Sequence, residues 1–252
     1  MTAIYPDLDG ASIFLTGGGS GIGAALLAGF LAQGAKVAFV DFCDASALVD
    51  TLAATSAHAP LFIKCDVTDT EALHAAMEQA HATHGPFKAL INNAANDMRY
   101  EADAITPDIW DASQAVNLKA QFFACQKAAG LMAPKGAMIN YASITYMMGA
   151  AGMVPYVTAK AAIVGMTRAL AREWGAHGLR VNAIAPGWVM TEKQETMWAT
   201  PEAKAEFIEK QCLKEHIQPG HMVGPTLFLA SDASAMMTGQ VMVVDAGVVH
   251  AG

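Results

Sequence analysis

The chain has 252 residues, 54% of them hydrophobic and 15% charged, with a formal net charge of −8. That much apolar material builds a substantial buried core and excludes a disordered chain. The acidic balance, with no basic cluster along the sequence, argues against nucleic acid or an anionic membrane as partner.

In chain order, the apolar runs at 11–16, 35–40, 61–65 and 87–91 read as buried strands. The runs at 137–141, 179–183 and 240–244 complete the set. Between them, helical patterns cover 21–33, 70–84, 107–131 and 156–174. Asp69-Thr70-Glu71 opens one helix, while Gly34 and Gly85 follow the ends of two others. Continuous apolar strands alternating with helices predict an α/β chain: a Rossmann-type, doubly wound parallel sheet covered on both faces. No linker, repeat or low-complexity tract divides it, so a single domain over residues 1–252 is expected. The segment 191–213 breaks the rhythm, and its Thr200-Pro201-Glu202 is a cap, first-turn proline and acid for a short helix. A small helical lid over a ligand at the sheet's carboxyl edge is expected there.

Residues 1–10 lack a basic, apolar leader pattern, and every apolar stretch is interrupted well short of a membrane span. Cys43, Cys65, Cys125 and Cys212 are scattered without close pairs, as free thiols of a cytoplasmic protein would be.

The first strand runs into Thr16-Gly17-Gly18-Gly19-Ser20-Gly21-Ile22-Gly23, and a helix follows. Glycines here permit a tight turn, close approach of backbone to a pyrophosphate, and close helix-on-strand packing; the helix N-terminus supplies free N–H groups. Ile22-Gly23 lacks the lysine of a nucleoside triphosphate loop. The second strand ends at Asp41, whose carboxylate can accept both ribose hydroxyls of NAD and repels the 2′-phosphate of NADP. NAD is the expected cofactor.

With that turn in place, the chain resembles the short-chain dehydrogenase/reductase family along nearly its whole length. The matching pieces are Thr16–Gly23, Asp66-Val67, Asn92-Asn93-Ala94-Ala95, Asn117, Ser143, Tyr156-Val157-Thr158-Ala159-Lys160 and Pro186-Gly187, in the family's order. The resemblance implies that Gly17, Gly19, Ser20, Gly21, Ile22 and Gly23 hold the cofactor. Asp66 and Val67 would flank the adenine, Asn93 and Ala94 the ribose, and Pro186, Gly187, Val189 and Thr191 the nicotinamide side. It also implies a homotetramer built on the long helices and the C-terminal strand. One departure is Ala246 in Val244-Asp245-Ala246-Gly247, where the family usually has glycine. Only C-terminal packing should feel it.

Tyr156 and Lys160, four apart, project from one helix face. A free tyrosine, with its pKa near ~10, is a poor base at pH 7, but an adjacent ammonium and a positive nicotinamide ring stabilise its phenolate. Tyr156 would then take a hydroxyl proton as hydride leaves for the cofactor. Ser143 would orient the substrate oxygen. By the resemblance, Asn117 would help hold a water linking Lys160 to solvent.

Three places should face the substrate: Asn96-Asp97-Met98-Arg99; 145–153 with Thr145 and Met153; and Trp188 with the 191–213 segment. Polar Asn96, Asp97 and Arg99 suit a polyhydroxylated substrate, Trp188 an apolar sugar face. Met147, Met148 and Met153 could add a soft wall. Asn-Asp-x-Arg together with Gly-Trp-Val-Met-Thr-Glu-Lys-Gln at 187–194 resembles the family's aldose 1-dehydrogenase branch. The expected reaction is therefore oxidation of a sugar's anomeric hydroxyl to a lactone. A ketone or 3-oxoacyl reductase is the alternative on the same scaffold, and a catalytically idle NAD sensor a remoter one. No metal is expected: His81 and His84 sit at a helix end with no third ligand.

Overall fold

Every other residue of the first strand faces the same side of the sheet, and the core divides accordingly. Ile13 and Leu15 pack with Leu26 and Phe30 on one face, while Phe14 packs with Leu73 and Met77 on the other. The computed structural model describes residues 3–249; the first two residues of the N-terminal stretch considered above lie outside them. The strands are β1 (Ser12–Thr16), β2 (Lys36–Asp41), β3 (Leu61–Lys64), β4 (Phe87–Asn92), β5 (Met132–Tyr141), β6 (Arg180–Pro186) and β7 (Val241–Val244). They form one seven-stranded sheet in the order β3-β2-β1-β4-β5-β6-β7. All its pairings are parallel. The order reverses between β1 and β4, opening a crevice beyond their carboxyl ends, where ligands of such sheets bind.

The helices are α1 (Gly21–Ala32), α2 (Ser46–Ala53), α3 (Thr70–His84), α4 (Pro107–Gln114), α5 (Ala120–Ala129), α6 (Thr145–Met148), α7 (Val154–Trp174), α8 (Glu192–Met197), α9 (Pro201–Lys210) and α10 (Val223–Ala230). Asp69 caps α3 by accepting from the Ala72 amide, and Thr200 caps α9 through Ala203. Gly34 and Gly85 both take positive φ after their helices.

The helix expected over 107–131 is not continuous. Ala115–Lys119 form a π-helical turn between α4 and α5, and the chain re-enters the sheet at Met132, five residues before the strand expected at 137. Three helices, α2, α6 and α10, had no counterpart in the sequence pattern. α10 is held to β6 by Arg180, whose guanidinium donates to the carbonyls of Leu229 and Ser231 and to Ser234 Oγ. The 191–213 segment carries two helices, α8 and α9, rather than one. No described helix is long and apolar enough to cross a membrane.

Candidate active site

The β1–α1 turn is sterically specified. Gly17 has φ +68, and a Cβ there would lie 2.8 Å from the Ala94 Cα; a Cβ on Gly23 would lie 1.7 Å from the Gly17 carbonyl oxygen. Asn93 reinforces the turn: its Nδ2 donates to Gly17 O at 2.8 Å, and its backbone N–H to Thr16 Oγ1 at 3.1 Å. Its side chain is thus engaged with the turn, leaving the rest of the residue to line the cavity. No side chain caps the N-terminus of α1, so its first amides remain available to an anion. Asp41 at the tip of β2 accepts from the Gly19 amide at 2.9 Å and the Cys43 amide at 3.1 Å. The carboxylate and the glycine turn are thereby fixed to one another.

One cavity of about 1220 Å³ runs from this turn across the carboxyl edge of the sheet. Gly17, Ser20, Gly21, Ile22, Gly23 and Asp41 line one end, with Asp66, Val67, Asn93 and Ala94 beside them. Ser143, Thr145, Met153, Tyr156 and Lys160 line the other end, with Pro186, Gly187, Trp188, Val189 and Thr191. Asn96 and Arg99 stand at its mouth. Met148 and Met153 border it, and Met147 does not. Of the cofactor and catalytic residues singled out from sequence, Gly19 and Asn117 lie outside the lining. Gly19 acts on it through Asp41.

Asn117 sits in the π turn, fully buried. Its Oδ1 accepts from the Asn96 amide, while its Nδ2 donates to the carbonyls of Asn96 and Ser113. The expected water-holding role is therefore not one for its amide hydrogens, which are taken by protein. Its visible work is to fix the loop after β4.

Tyr156 and Lys160 share a face of α7, the ammonium 5.3 Å from the phenol ring centroid. Lys160 is buried, and its Nζ donates to the Tyr141 carbonyl at 2.7 Å. Burial lowers Lys160 to about 7, with the Asp97 charge acting in the opposite sense. The Tyr156 hydroxyl is pushed up, first by burial and then by Asp97, while Ser143 acts to lower it. By itself the protein thus holds the phenol protonated: burial and Asp97 prevail over Ser143, and the lowering anticipated from Lys160 is not among the influences on it. Ser143 is 8% exposed and accepts from both the amide and the hydroxyl of Thr145, at 3.2 and 3.0 Å.

The polar loop after β4 is joined to α8. Lys193 Nζ donates to Asp97 Oδ1 and Gln194 Nε2 to Asp97 Oδ2, both at 2.6 Å; Trp188 Nε1 donates to Gln194 Oε1 at 2.8 Å. Arg99 lies 4.3 Å over the Trp198 ring, and Trp188 packs edge-on against Phe207. Gln194, Trp198 and Phe207 went without roles in the sequence. The signal for the aromatic pair was large apolar side chains in an otherwise polar stretch. Among the described residues no cluster of three or more His, Cys, Asp or Glu side chains could hold a metal ion.

A family model described as enoyl-(acyl carrier protein) reductase matches residues 17–249. A probable galactose dehydrogenase of Rhizobium meliloti (strain 1021) is 46% identical over 248 residues, covering 97% of each chain. A D-xylose 1-dehydrogenase of Caulobacter vibrioides is 43% identical over 249 residues, covering 98% of each. Among solved structures, a blue fluorescent protein from a metagenomic library, in complex with NADPH, aligns with TM-score 0.90 at 32% identity, covering 96% of this chain and 99% of that one. A short-chain dehydrogenase/reductase from Serratia marcescens aligns with TM-score 0.89 at 30% identity, covering 97% and 99%. From the glycine turn to the last strand, this chain belongs to the short-chain dehydrogenase/reductase family and is an oxidoreductase.

Proposed function

We propose that this enzyme oxidises the anomeric hydroxyl of an aldose to a lactone, with NAD as the hydride acceptor. The observation that carries the reading is a single cavity joining the glycine turn to Ser143, Tyr156 and Lys160 beneath a polar, tryptophan-bearing rim. Relatives at 46% and 43% identity, named as acting on galactose and xylose, support the substrate class.

The residues present fit a nicotinamide dinucleotide. Gly17 and Gly23 pack too closely on Ala94 and on the Gly17 carbonyl for any Cβ, which keeps the turn tight, and the uncapped α1 N-terminus suits a pyrophosphate. Asp41 would accept the adenosine ribose hydroxyls, Asp66 and Val67 would border the adenine, and Val189 and Thr191 the carboxamide. A neighbour in fold binds NADPH; here Asp41 would repel the added phosphate. NAD should be favoured over NADP by at least about tenfold, roughly 1.4 kcal/mol. When bound, the nicotinamide ring supplies the hydride acceptor.

Tyr156, once ionised to the phenolate that the Lys160 ammonium and a positive nicotinamide would stabilise, takes the proton of the substrate hydroxyl, and Ser143 orients that oxygen. Lys160, with its pKa near 7, exchanges a proton at working pH. Asn117 acts as a positioning residue for the loop bearing Asn96. Asn96, Arg99, Thr145, Met153 and Trp188 would surround the sugar, and 191–213 would serve as the lid of a single-domain, cytoplasmic homotetramer. Exposed small residues along α7, namely Ala161, Gly165 and Ala169, support close approach of a neighbouring subunit.

The test is a screen of pentoses, hexoses and 6-deoxyhexoses with NAD and NADP, followed by absorbance of the reduced cofactor. At least one aldose should be oxidised with NAD, and Tyr156→Phe should lower its turnover by roughly 10²–10⁴. Inertness toward every aldose, with NADPH-dependent reduction of a 3-oxoacyl thioester or ketone instead, would replace this reading.

A further inference from the structure

Asp97 and Lys193 lie 96 positions apart in the chain yet form one ion pair. Asp97 stands on the loop after β4, Lys193 on the first turn of α8. Lysine takes one carboxylate oxygen and Gln194 the other, so Asp97 is bound from the α8 side at both atoms. Its side chain is 19% exposed against 43% for Lys193. A half-buried anion thus meets a cation that arrives from solvent on a short, capped helix. Thr191 caps that helix through the Gln194 amide.

A neutral amide at position 97 could accept from Lys193 through its one oxygen, but would turn a donor toward the Gln194 amide, whose own oxygen already accepts from Trp188. A carboxylate accepts from both partners, and it adds charge. Tyr156 lines the cavity together with Lys160 of its own helix, Ser143 from the end of β5 and Asp97 from the loop after β4, and the Asp97 charge acts on both Tyr156 and Lys160. Of the other charged residues bordering the cavity, Arg99 lies over Trp198, and Glu206 and Lys210 of α9 pair with each other. Glu192 is exposed, and Asp41 and Asp66 stand at the dinucleotide end. Asp97 is therefore the anion placed to oppose a phenolate at Tyr156.

We propose that Lys193 is a positioning residue for the reaction, acting through Asp97: seating α8 places an ammonium on the carboxylate that faces the Tyr156–Lys160 pair. With the pair made, Asp97 presents a dipole, whose potential falls off faster than that of a lone charge. With α8 unseated, the bare carboxylate opposes ionisation of Tyr156. Base formation is thus favoured by closure of the site, and a phenolate forms more readily where substrate is enclosed. The inference rests on Tyr156 being the base.

The experiment is the pH dependence of kcat, at saturating sugar and NAD, for wild type, Lys193→Met, Lys193→Arg, Asp97→Asn and the double variant Asp97→Asn/Lys193→Met. A unit charge within about 10 Å, at an effective dielectric near 20, moves an ionisation by about one pH unit. Lys193→Met should therefore raise the apparent ionisation by up to about one unit and lower kcat at pH 7 by up to roughly tenfold, with recovery at higher pH. Lys193→Arg should restore the wild-type profile. Asp97→Asn should not raise the ionisation, and in its background Lys193→Met should no longer do so. A Lys193→Met enzyme changed only in KM, with an unmoved pH profile, overturns the proposal; so does a double variant shifted as far as Lys193→Met alone. Tyr156→Phe separates the premises: if it keeps wild-type turnover the base assignment fails, whatever the Lys193 series shows.

Discussion

Replacing Lys160 by methionine should abolish turnover and, in the protein free of cofactor, raise stability by an amount that depends on pH. Lys160 is 1% exposed, and its Nζ contacts the Tyr141 carbonyl rather than a carboxylate. Burial depresses its pKa from 10.5 to about 7. In the unfolded chain it keeps its proton until about pH 10.5, so between these values folding must expel a proton. The unfolded state binds more protons there, and wild-type stability therefore rises with pH across that window. Below pH 7 both states are protonated and the whole penalty applies, about 5 kcal/mol at about 1.4 kcal/mol per unit. Methionine carries no such penalty, while filling much of the same space. Its advantage should be largest and flat below pH 7, and smaller by about 3 kcal/mol at pH 9. For a chain of this size that is a narrowing of the Tm gap of about 6–12 °C. The Tyr156 hydroxyl, displaced upward, stays protonated over this range and cancels. Thermal unfolding of both proteins at pH 6, 7, 8 and 9, at one protein concentration, measures the gap. A gap that is constant, or that widens as pH rises, refutes a buried and depressed Lys160.

Two other perturbations test the backbone. Gly23→Ala forces a methyl onto the Gly17 carbonyl and displaces the Asn93 amide that donates to it. Overpacking and a lost hydrogen bond together should cost about 2–4 kcal/mol, read as a lower Tm, and calorimetric titration should show NAD binding lost. Ala246 has φ +59. Relief of the left-handed strain, less the entropy of a glycine, should make Ala246→Gly more stable by about 0.5–1 kcal/mol, seen as a higher denaturant midpoint.

The sheet was readable because its central strands are buried on both faces, so runs such as Ile13-Phe14-Leu15 carry no competing polar pattern. Helix α2 was not, since it spans only Ser46–Ala53, buries none of its residues and starts after Ala45, which offers no capping side chain. The π turn was invisible for another reason: Ala115-Val116-Asn117-Leu118-Lys119 has ordinary helical composition, and the extra residue is set by what Asn117 reaches. Strand β5 begins in Met132-Ala133-Pro134-Lys135, where the apolar run that marks its interior has yet to start. In the site, the glycine turn, Asp41, Ser143, Tyr156 and Lys160 carry local signatures. The Asp97–Lys193–Gln194–Trp188 chain was visible only as two separate segments, because Asp97 meets its partners 96 and 97 positions further along the sequence. Ala246 was expected to matter only for packing; its positive φ adds a conformational cost. The direction of the Tyr156 displacement needed the burial of its hydroxyl and the nearness of Asp97, neither of which is a property of spacing.

The π turn at Ala115–Lys119 also bears on how this enzyme can change over generations. A π turn is an α-helix with one residue too many, and removing any one of the five would let the helix run regularly from Pro107 to Ala129. The shortened chain would have a more ordinary backbone there. It would also turn α4 relative to α5 by about 100°, carrying Asn117 away from Asn96. A more regular backbone would thus be set against the buried hydrogen bonds of Asn117 and the loop they hold, so added robustness has to come from elsewhere in the molecule.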